Sequence, residues 1–530
     1  MSVPQQSGRG RKKRSDGMAY VLSLIMLALF ASLAVAFAVT TDTSVQKADN
    51  HELAQAAMFA AESGMEFAMS KMVGIASEED NPDMAALTAQ VLSNALNGTA
   101  NIDCGDVSYD PEAGLITVPP ILLPTGDQFS FTVTRLDASR LRLHVTGQAG
   151  GISRTLSVDY TLHEDRSVLT YSVASRSRVL ITDGAVVGGD ITSTWDRTRI
   201  GSYDVPPFLT EPDTRVDGHL KTVLSQADYE MHDSQDYVEG EHEGFAYDEP
   251  RFADYTADDF DTSSYKAGTT DITSIGPPTS YDHDSWFPSS DNKRRKLDRP
   301  IYENMTFDNI YVPPGHNPKF INCTFNRIIY LDTDETTTLG QWSHDYYDQH
   351  AIPGREYRSD DRYNDHSNNV VFDGCTFNGP VITGVPRDYW WSKNALTFEG
   401  ETTFTNSYMP ESTIMAPNFG VDIGGRGYDG ESNPDSKMTG IIIGGIVDVR
   451  GTANIEGTIL SMYYPDTDLG TGASYYGTNI GFYADGGETA GASGIEGDIR
   501  IVPQPDNVLP FGMRRKYKLA PSPNTYLEHK

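Results

Sequence analysis

From Met18 to Val39 the chain runs for 22 residues without a charged side chain (MAYVLSLIMLALFASLAVAFAV). As a helix that run is about 33 Å long, which matches a bilayer hydrocarbon core of about 30 Å. The basic cluster Arg9, Arg11, Lys12, Lys13, Arg14 lies directly before it, and Thr40, Thr41 and Asp42 come directly after it. Lysine and arginine stay on the cytoplasmic side, so this asymmetry predicts a single-pass inner-membrane protein with a cytoplasmic N-terminus and a periplasmic or extracellular bulk. Three fates of the run are open on these residues alone. They are a cleaved secretory signal ending at Ala36-Phe37-Ala38, a plain signal anchor, and the first half of a longer helix. The apolar run exceeds the roughly 7 to 15 residues of a signal core, which disfavours the first.

The segment from Thr43 to Val73 favours the third, because it lacks proline and is rich in Ala, Met, Glu and Gln. It places Leu53, Ala57, Ala60, Ala61, Gly64, Phe67, Ala68 and Met72 on one helical stripe, predicting a continuous helix to about Val73.

Outside the first 39 residues the chain is strongly acidic. The whole carries a formal charge of -33 from 41 bases and 74 acids, and five of the bases but one of the acids lie in that first stretch. Such a body repels phosphate backbones, so nucleic acid is excluded as a partner. Three cysteines without CxxC spacing make neither a disulfide scaffold nor a zinc site.

Alternating apolar residues then mark short strands: Phe129, Phe131, Val133; Leu141, Leu143, Val145; Leu156, Val158, Tyr160, Leu162. Turn chemistry at Asp137-Ala138-Ser139 and from Gly147 to Gly151 joins them into a small antiparallel sheet. Further on the sequence repeats itself, as Asn304-Met305-Thr306-Phe307, Asn322-Cys323-Thr324-Phe325, Gly374-Cys375-Thr376-Phe377 and, more weakly, Thr402-Thr403-Phe404. The first two copies are 18 residues apart, and the later gaps of 52 and 27 leave room for insertions. A second pattern, apolar-x-Gly-x-apolar, appears at Val187 to Ile191, Ile455 to Ile459 and Ile495 to Ile499. Strands recurring at one coil length predict a parallel β-helix in which like residues stack. Met305, Cys323 and Cys375 then share one column and Phe307, Phe325 and Phe377 another.

The expected fold is therefore α+β: a long transmembrane and stalk helix, a small antiparallel sheet domain, then a mainly-β parallel β-helix with long insertions. The expected boundaries are a basic leader over 1–17, the helix over 18–75, the sheet domain over 76–165, the β-helix over 166–500 and a tail over 501–530. Acidic, Tyr-rich insertions are expected near 200–300 and 332–369.

Gly17-Met18 at the junction of basic leader and apolar run, with Gln55-Ala56-Ala57 and Ala60-Ala61-Glu62-Ser63-Gly64-Met65-Glu66 on the stalk, resembles the N-terminal region of PilX-type minor pilins and other type IV pilin-like pseudopilins. The run from Leu143 to Leu162 also resembles the strand, Gly-rich turn and strand of such proteins, and the second half of the chain resembles right-handed β-helix proteins. The pilin resemblance implies cleavage by prepilin peptidase after Gly17 and methylation of the new N-terminus at Met18. It also implies assembly with other pilin or pseudopilin subunits of a type IV pilus or type II secretion-like fibre. The fifth residue of such a mature chain is Leu22, where major pilins carry a glutamate, so a minor or tip position fits better than a bulk subunit.

Few candidate sites compete with this structural reading. Cys323 and Cys375 fall within disulfide reach if their coils are adjacent, and otherwise form a ladder of buried thiols. Asp332 and Asp334, and Asp466 and Asp468, have the spaced oxygens that calcium takes but lack a complete loop, so a solvated acidic surface is preferred and no cofactor is expected. Asp360 and Asp361 beside Arg358 and Arg362 are the one close carboxylate pair with bases, and they match no catalytic pattern of β-helix lyases or hydrolases. No enzyme activity is expected. The alternative is a surface-anchored β-helix that binds or cleaves polysaccharide.

Overall fold

A computed structural model describes residues 16–72, 75–77, 83–98, 105–182, 184–249, 255–288, 294–335, 366–389, 393–410, 412–424, 435–465, 477–481, 499–504, 506 and 508–529. The chain divides into two units, one made of Met1–His163 with Tyr517–Lys530 and the other of Glu164–Lys516.

The first unit opens with α1 (Asp16–Met72), a single helix of 57 residues that carries both the apolar run and the stalk. A two-residue strand β1 (Ala76–Ser77) and a second helix α2 (Met84–Leu96) come next. Asp83 caps α2, its carboxylate accepting from the amides of Ala85 and Ala86 at 3.2 Å. Met84, Ala85, Ala89, Leu92 and Leu96 bury one face of α2. Then come β2 (Ser108–Asp110), β3 (Leu115–Leu122), β4 (Gln128–Arg135), β5 (Arg140–Ala149) and β6 (Ile152–Glu164), an antiparallel meander. The alternation read from sequence sets its faces. Phe129, Phe131, Val133, Leu141, Leu143, Val145 and Leu156 are buried, while the residues between them are more exposed.

The end of the chain departs from expectation. Residues 501–530 were expected as a tail, yet the strand Tyr517–Pro521 inserts between β1 and β6, and Leu527–His529 also pairs antiparallel with β6. The amide of Leu519 donates to Ile75 O at 3.0 Å, and that of Ser522 to Asp159 O at 2.7 Å.

The second unit is a β-helix whose 25 strands join in one sheet, its coils stacked in parallel, with Ser280–Pro288 paired antiparallel to Arg294–Glu303 beside them. The Thr-Phe repeats pair in register, Thr306 with Thr324, Thr324 with Thr376, and Thr376 with Thr403. Phe307, Phe325, Phe377 and Phe404 accordingly stack, with ring centroids 5.4, 4.9 and 4.3 Å apart. A second column, Tyr302, Phe320, Phe372 and Phe398, stacks at 5.5, 5.4 and 5.1 Å and meets the first edge to face. Each ring is fully buried, which stabilises a coil by about 1.5–3 kcal/mol per ring. The residue opening each turn, Asn304, Asn322 or Gly374, has φ of 55°, 49° or 64°. Asn and Gly are the residues that tolerate this left-handed backbone, which is why they precede Met305, Cys323 and Cys375.

Coil order is not chain order. The strand Thr452–Ser461 pairs with Val173–Ser175, and Ile499–Val502 pairs with Val186–Val187, so the last coil stacks on the first. On its other side that first coil pairs with Ile191–Ser193, Phe208–Thr210 and Arg215–Thr222. The chain thus enters the stack in its middle. It builds outward to Glu241–Ala246, which pairs with Arg215–Thr222, and resumes at the other end with Thr270–Asp271, which pairs with Ile310–Val312. Part of the 200–300 region read as an excursion is therefore coil strand, and Tyr229, Tyr255 and Tyr265 are buried. The segment between these ends covers an outward-facing apolar column. Tyr330, Ile382, Met415, Ile443, Leu460 and Ala174 lie in successive register, and Tyr255, Phe260, Tyr265, Leu509 and Met513 pack over them. These strands are buried on both faces, so they read as apolar runs without alternation. The other predicted insertion, 332–369, falls outside the described residues over 336–365.

Candidate functional site

The helix α1 is the candidate site, and its two halves obey different rules. In the first half the apolar side chains face outward, with Leu22 60 % and Phe30 66 % exposed, although an 18-residue window reaches a mean hydropathy of 2.6. It is the one helix among the described residues long and apolar enough to cross a membrane. Its hydroxyls bond back to the helix: Ser23 Oγ donates to Tyr20 O and Ser32 Oγ to Leu29 O at 2.8 Å, and Thr40 Oγ1 to Ala36 O at 2.6 Å. A polar group is thereby satisfied without water, as hydrocarbon requires.

The second half lies on the sheet. Ala61, Met65, Ala68 and Met72 are buried in one cluster with Phe129, Phe131, Leu143 and Val145, and Ala57 and Ala60 on the same helix are buried as well. Small residues set the approach distance. A Cβ on Gly64 would fall 2.6 Å from Phe129 Cδ2 and 2.8 Å from Val145 Cγ1. A Cβ on Gly147 of β5 would strike the α1 backbone itself at Ala57 O and Ala61 N, and lie 2.9 Å from Ala60 C. The Ala-Ala-Glu-Ser-Gly run is therefore the surface on which β4 and β5 rest, while Phe67 packs its ring 5.6 Å from Phe129. Behind this face, Arg142 holds Asp159 across β5 and β6 by two hydrogen bonds of 2.5 and 2.9 Å. Those bonds keep the Asp159 carboxyl below its ordinary pKa.

Gly17 and Met18 sit in the first turn of α1, with Met18 77 % exposed. Cys323 and Cys375 occupy consecutive coils, as the repeat predicted, but the pairing considered for them is not made: both are free, buried thiols. Cys323 Sγ donates to Tyr302 O at 3.2 Å, and Cys375 Sγ contacts Phe320 O at 3.5 Å. Cys104, Asp466, Asp468 and the Asp360-Asp361 pair lie outside the described residues. The carboxylates of Asp332 and Asp334 already have protein partners. Asp332 Oδ2 accepts from Lys266 Nζ and Tyr311 Oη, both at 2.7 Å, and Asp334 pairs with His366 at 3.0 Å. Among the described residues no group of three or more His, Cys, Asp and Glu side chains is arranged to hold a metal ion.

Sequence reasoning missed one feature, a cavity on the β-helix lined by Arg176, Tyr389, Tyr463 and Tyr464 among others. Its residues come from segments far apart in the chain, so no local pattern marks them.

No family model matches this chain, and no curated protein matches it. Among solved structures, the crystal structure of the competence-associated pilin ComZ from Thermus thermophilus is similar at 12 % identity and a TM-score of 0.22, over 90 % of this chain and 98 % of that one. A superposition that loose carries no weight for fold or assembly.

Proposed function

We propose that this protein is an exported, membrane-anchored minor pilin or pseudopilin-like component of a type IV pilus or type II secretion-like fibre, displaying its β-helix unit outside the inner membrane. The observation that carries the reading is α1, one unbroken helix that leaves its apolar first half uncovered and lays its Ala/Gly-rich second half on an antiparallel sheet. Exposed apolar area on that scale needs a cover, either hydrocarbon or the helices of other subunits. A fibre subunit uses the two in turn, moving from bilayer to fibre core. The basic cluster from Arg9 to Arg14 keeps the N-terminus cytoplasmic. Prepilin peptidase then cuts between Gly17 and Met18, and Met18 is methylated. Leu22 in place of an acid leaves no partner for a neighbour's terminal amine, which suits a minor or tip position. The role is structural, and no catalytic step is part of it.

Intact-mass and N-terminal peptide spectrometry of the protein from its native membrane tests this. The expected mature chain begins at N-methylated Met18 and copurifies with sheared fibres. A chain beginning at Met1 or Val39 overturns the processing step and the fibre role with it.

A further inference from the structure

The Thr-Phe ladder carries on its inner side a pair of nucleophiles that the structural role leaves unused. Ile321 pairs with Asp373 and Thr324 with Thr376, so Cys323 lies directly against Cys375 of the next coil. Asn322 and Gly374 open the two turns with φ of 49° and 64°, and this shared left-handed backbone sends both side chains into the core in one direction. Each Sγ lies against equivalent carbonyl oxygens. Those are Ile321 O at 3.4 Å and Tyr302 O at 3.2 Å for Cys323, and Asp373 O at 3.6 Å and Phe320 O at 3.5 Å for Cys375. The two thiols are also within hydrogen-bonding reach of each other. That bond holds the Cys323 thiol below its ordinary pKa and, reinforced by burial, pushes that of Cys375 up. Met305 and Thr402 continue the column on either side, so among the described residues neither cysteine has any other thiol beside it.

Stacked strands lie about 4.8 Å apart, inside the roughly 4.4–6.8 Å Cα separation of disulfides. Parallel Cβ atoms at that spacing have to draw together by about 0.3–1 Å to reach the separation the bond requires. We propose that Cys323 and Cys375 are a redox-active pair, joined as a coil-to-coil disulfide when the ladder forms in the presence of a disulfide oxidant and otherwise left as open thiols. The exchange balances in two displacements. The Cys323 thiolate attacks one sulfur of the oxidant, the oxidant's S–S bond breaks, and its second sulfur leaves as a thiol carrying the proton. The Cys375 sulfur then attacks the Cys323 sulfur, the mixed disulfide breaks, and a second thiol leaves with the Cys375 proton. The pair loses two electrons and two protons, and the oxidant gains both. Cys323 and Cys375 are 1 % and 0 % exposed in the finished ladder, so the exchange belongs to the stage before one coil seats on the other, and seating then shields the bond from reductant. The two cysteines are 52 positions apart in the chain, so the bond closes a long loop that stacking alone otherwise holds shut. None of this depends on whether the chain enters a fibre.

The test is cell-free synthesis of the full chain into detergent micelles across glutathione mixtures running from reduced to oxidised. The protease-resistant product of each mixture is alkylated in urea, and its peptides are mapped by mass without reductant. The expected result is a linked Cys323–Cys375 peptide pair, absent in the reduced mixture and the major form in the oxidised one, with alkylation of the two cysteines falling together by at least about fivefold. Cys104→Ser should give the same linked pair, and Cys323→Ala should leave Cys375 open to alkylation in every mixture. Full alkylation of Cys323 and Cys375 in the oxidised mixture, or linkage of either one to Cys104 in place of the other, overturns the inference.

Discussion

The contact between α1 and β5 can be challenged with one methyl group. Gly147→Ala leaves the β5 backbone free of conformational penalty, because Gly147 is not among the glycines at positive φ. The added Cβ would nonetheless lie 2.9 Å from Ala60 C and closer still to Ala57 O and Ala61 N, all of them helix backbone that no side-chain rotation can clear. Ordinary contact needs about 3.2–3.5 Å, and the closest of these atoms set the limit, so helix and strand must separate by about 1 Å. A gap of that size forfeits a quarter to a half of the dispersion energy along the seam of Ala57, Ala60, Ala61, Met65 and Ala68. Together with the strain of overpacking, the expected loss is about 2–3 kcal/mol. For a unit of this size that lowers the melting temperature by about 5–10 °C. Calorimetry of the full chain in detergent gives the shift, and hydrogen exchange of peptides from β5 assigns it to the first unit. Gly105→Ala is the control, since its nearest neighbour, Pro119 Cγ, is at an ordinary 3.4 Å. A shift below about 2 °C in Gly147→Ala, or one equal to the control's, refutes the close-approach account of the Ala/Gly surface.

Two carboxylates should make the units respond oppositely to pH. Hydrogen bonds from Arg142 hold the Asp159 pKa below 3.8, so its contribution is complete above that value and lost as pH falls through the lowered folded value. Asp159→Asn should cost about 1–2 kcal/mol at pH 7 and flatten the acid limb of the first unit's unfolding profile. Asp448 behaves in reverse. Burial, reinforced by Asp422 in the adjacent coil, pushes its pKa up to about 6 against the pull of Arg450 and Asn479. Its contribution is present below 3.8 and lost as pH rises through about 6. Asp448→Asn keeps an acceptor for the Asn479 amide, 3.1 Å from Oδ1, and should stabilise the second unit by up to about 3 kcal/mol at pH 8 with no gain at pH 4. Urea titrations at the two pH values decide it, and a gain equal at both would sink the assignment.

How much could be read from the sequence depends on how locally each feature is encoded. Absence of charge from Met18 to Val39 is a property of consecutive residues, and it located α1 directly. The Thr-Phe coils were readable for a similar reason, since stacking puts like on like and the left-handed turn before each copy admits Asn304, Asn322 or Gly374. The strands Phe208–Thr210 and Arg215–Thr222 are hidden because a three-residue strand has no period, and because two of the four buried positions of the latter are Gly218 and Thr222, which leaves Val216 and Leu220 too sparse to mark an apolar alternation. What makes them strands is the coil beneath, supplied by Val179 to Ile181 and Val186-Val187. The junction of Ile459 with Val173, and the return of Tyr517–Pro521 to β6, join residues hundreds of positions apart. No window along the chain contains both partners. The cavity tyrosines were hidden in the same way, as isolated aromatics whose only common property is where the loops bring them.

Because Tyr517–Pro521 lies between β1 and β6, the first sheet cannot be finished until nearly the whole chain has been made. Synthesis from the N-terminus delivers β6 early and its partner last. In the interval β6 presents an unpaired edge, a template for other extended chains. The 353 residues from Glu164 to Lys516 are made in that interval and can begin to coil on their own ladder. Completion of the first sheet therefore reports on the whole chain: a chain truncated anywhere in the large unit lacks Tyr517–Pro521 and leaves that edge of β6 unpaired.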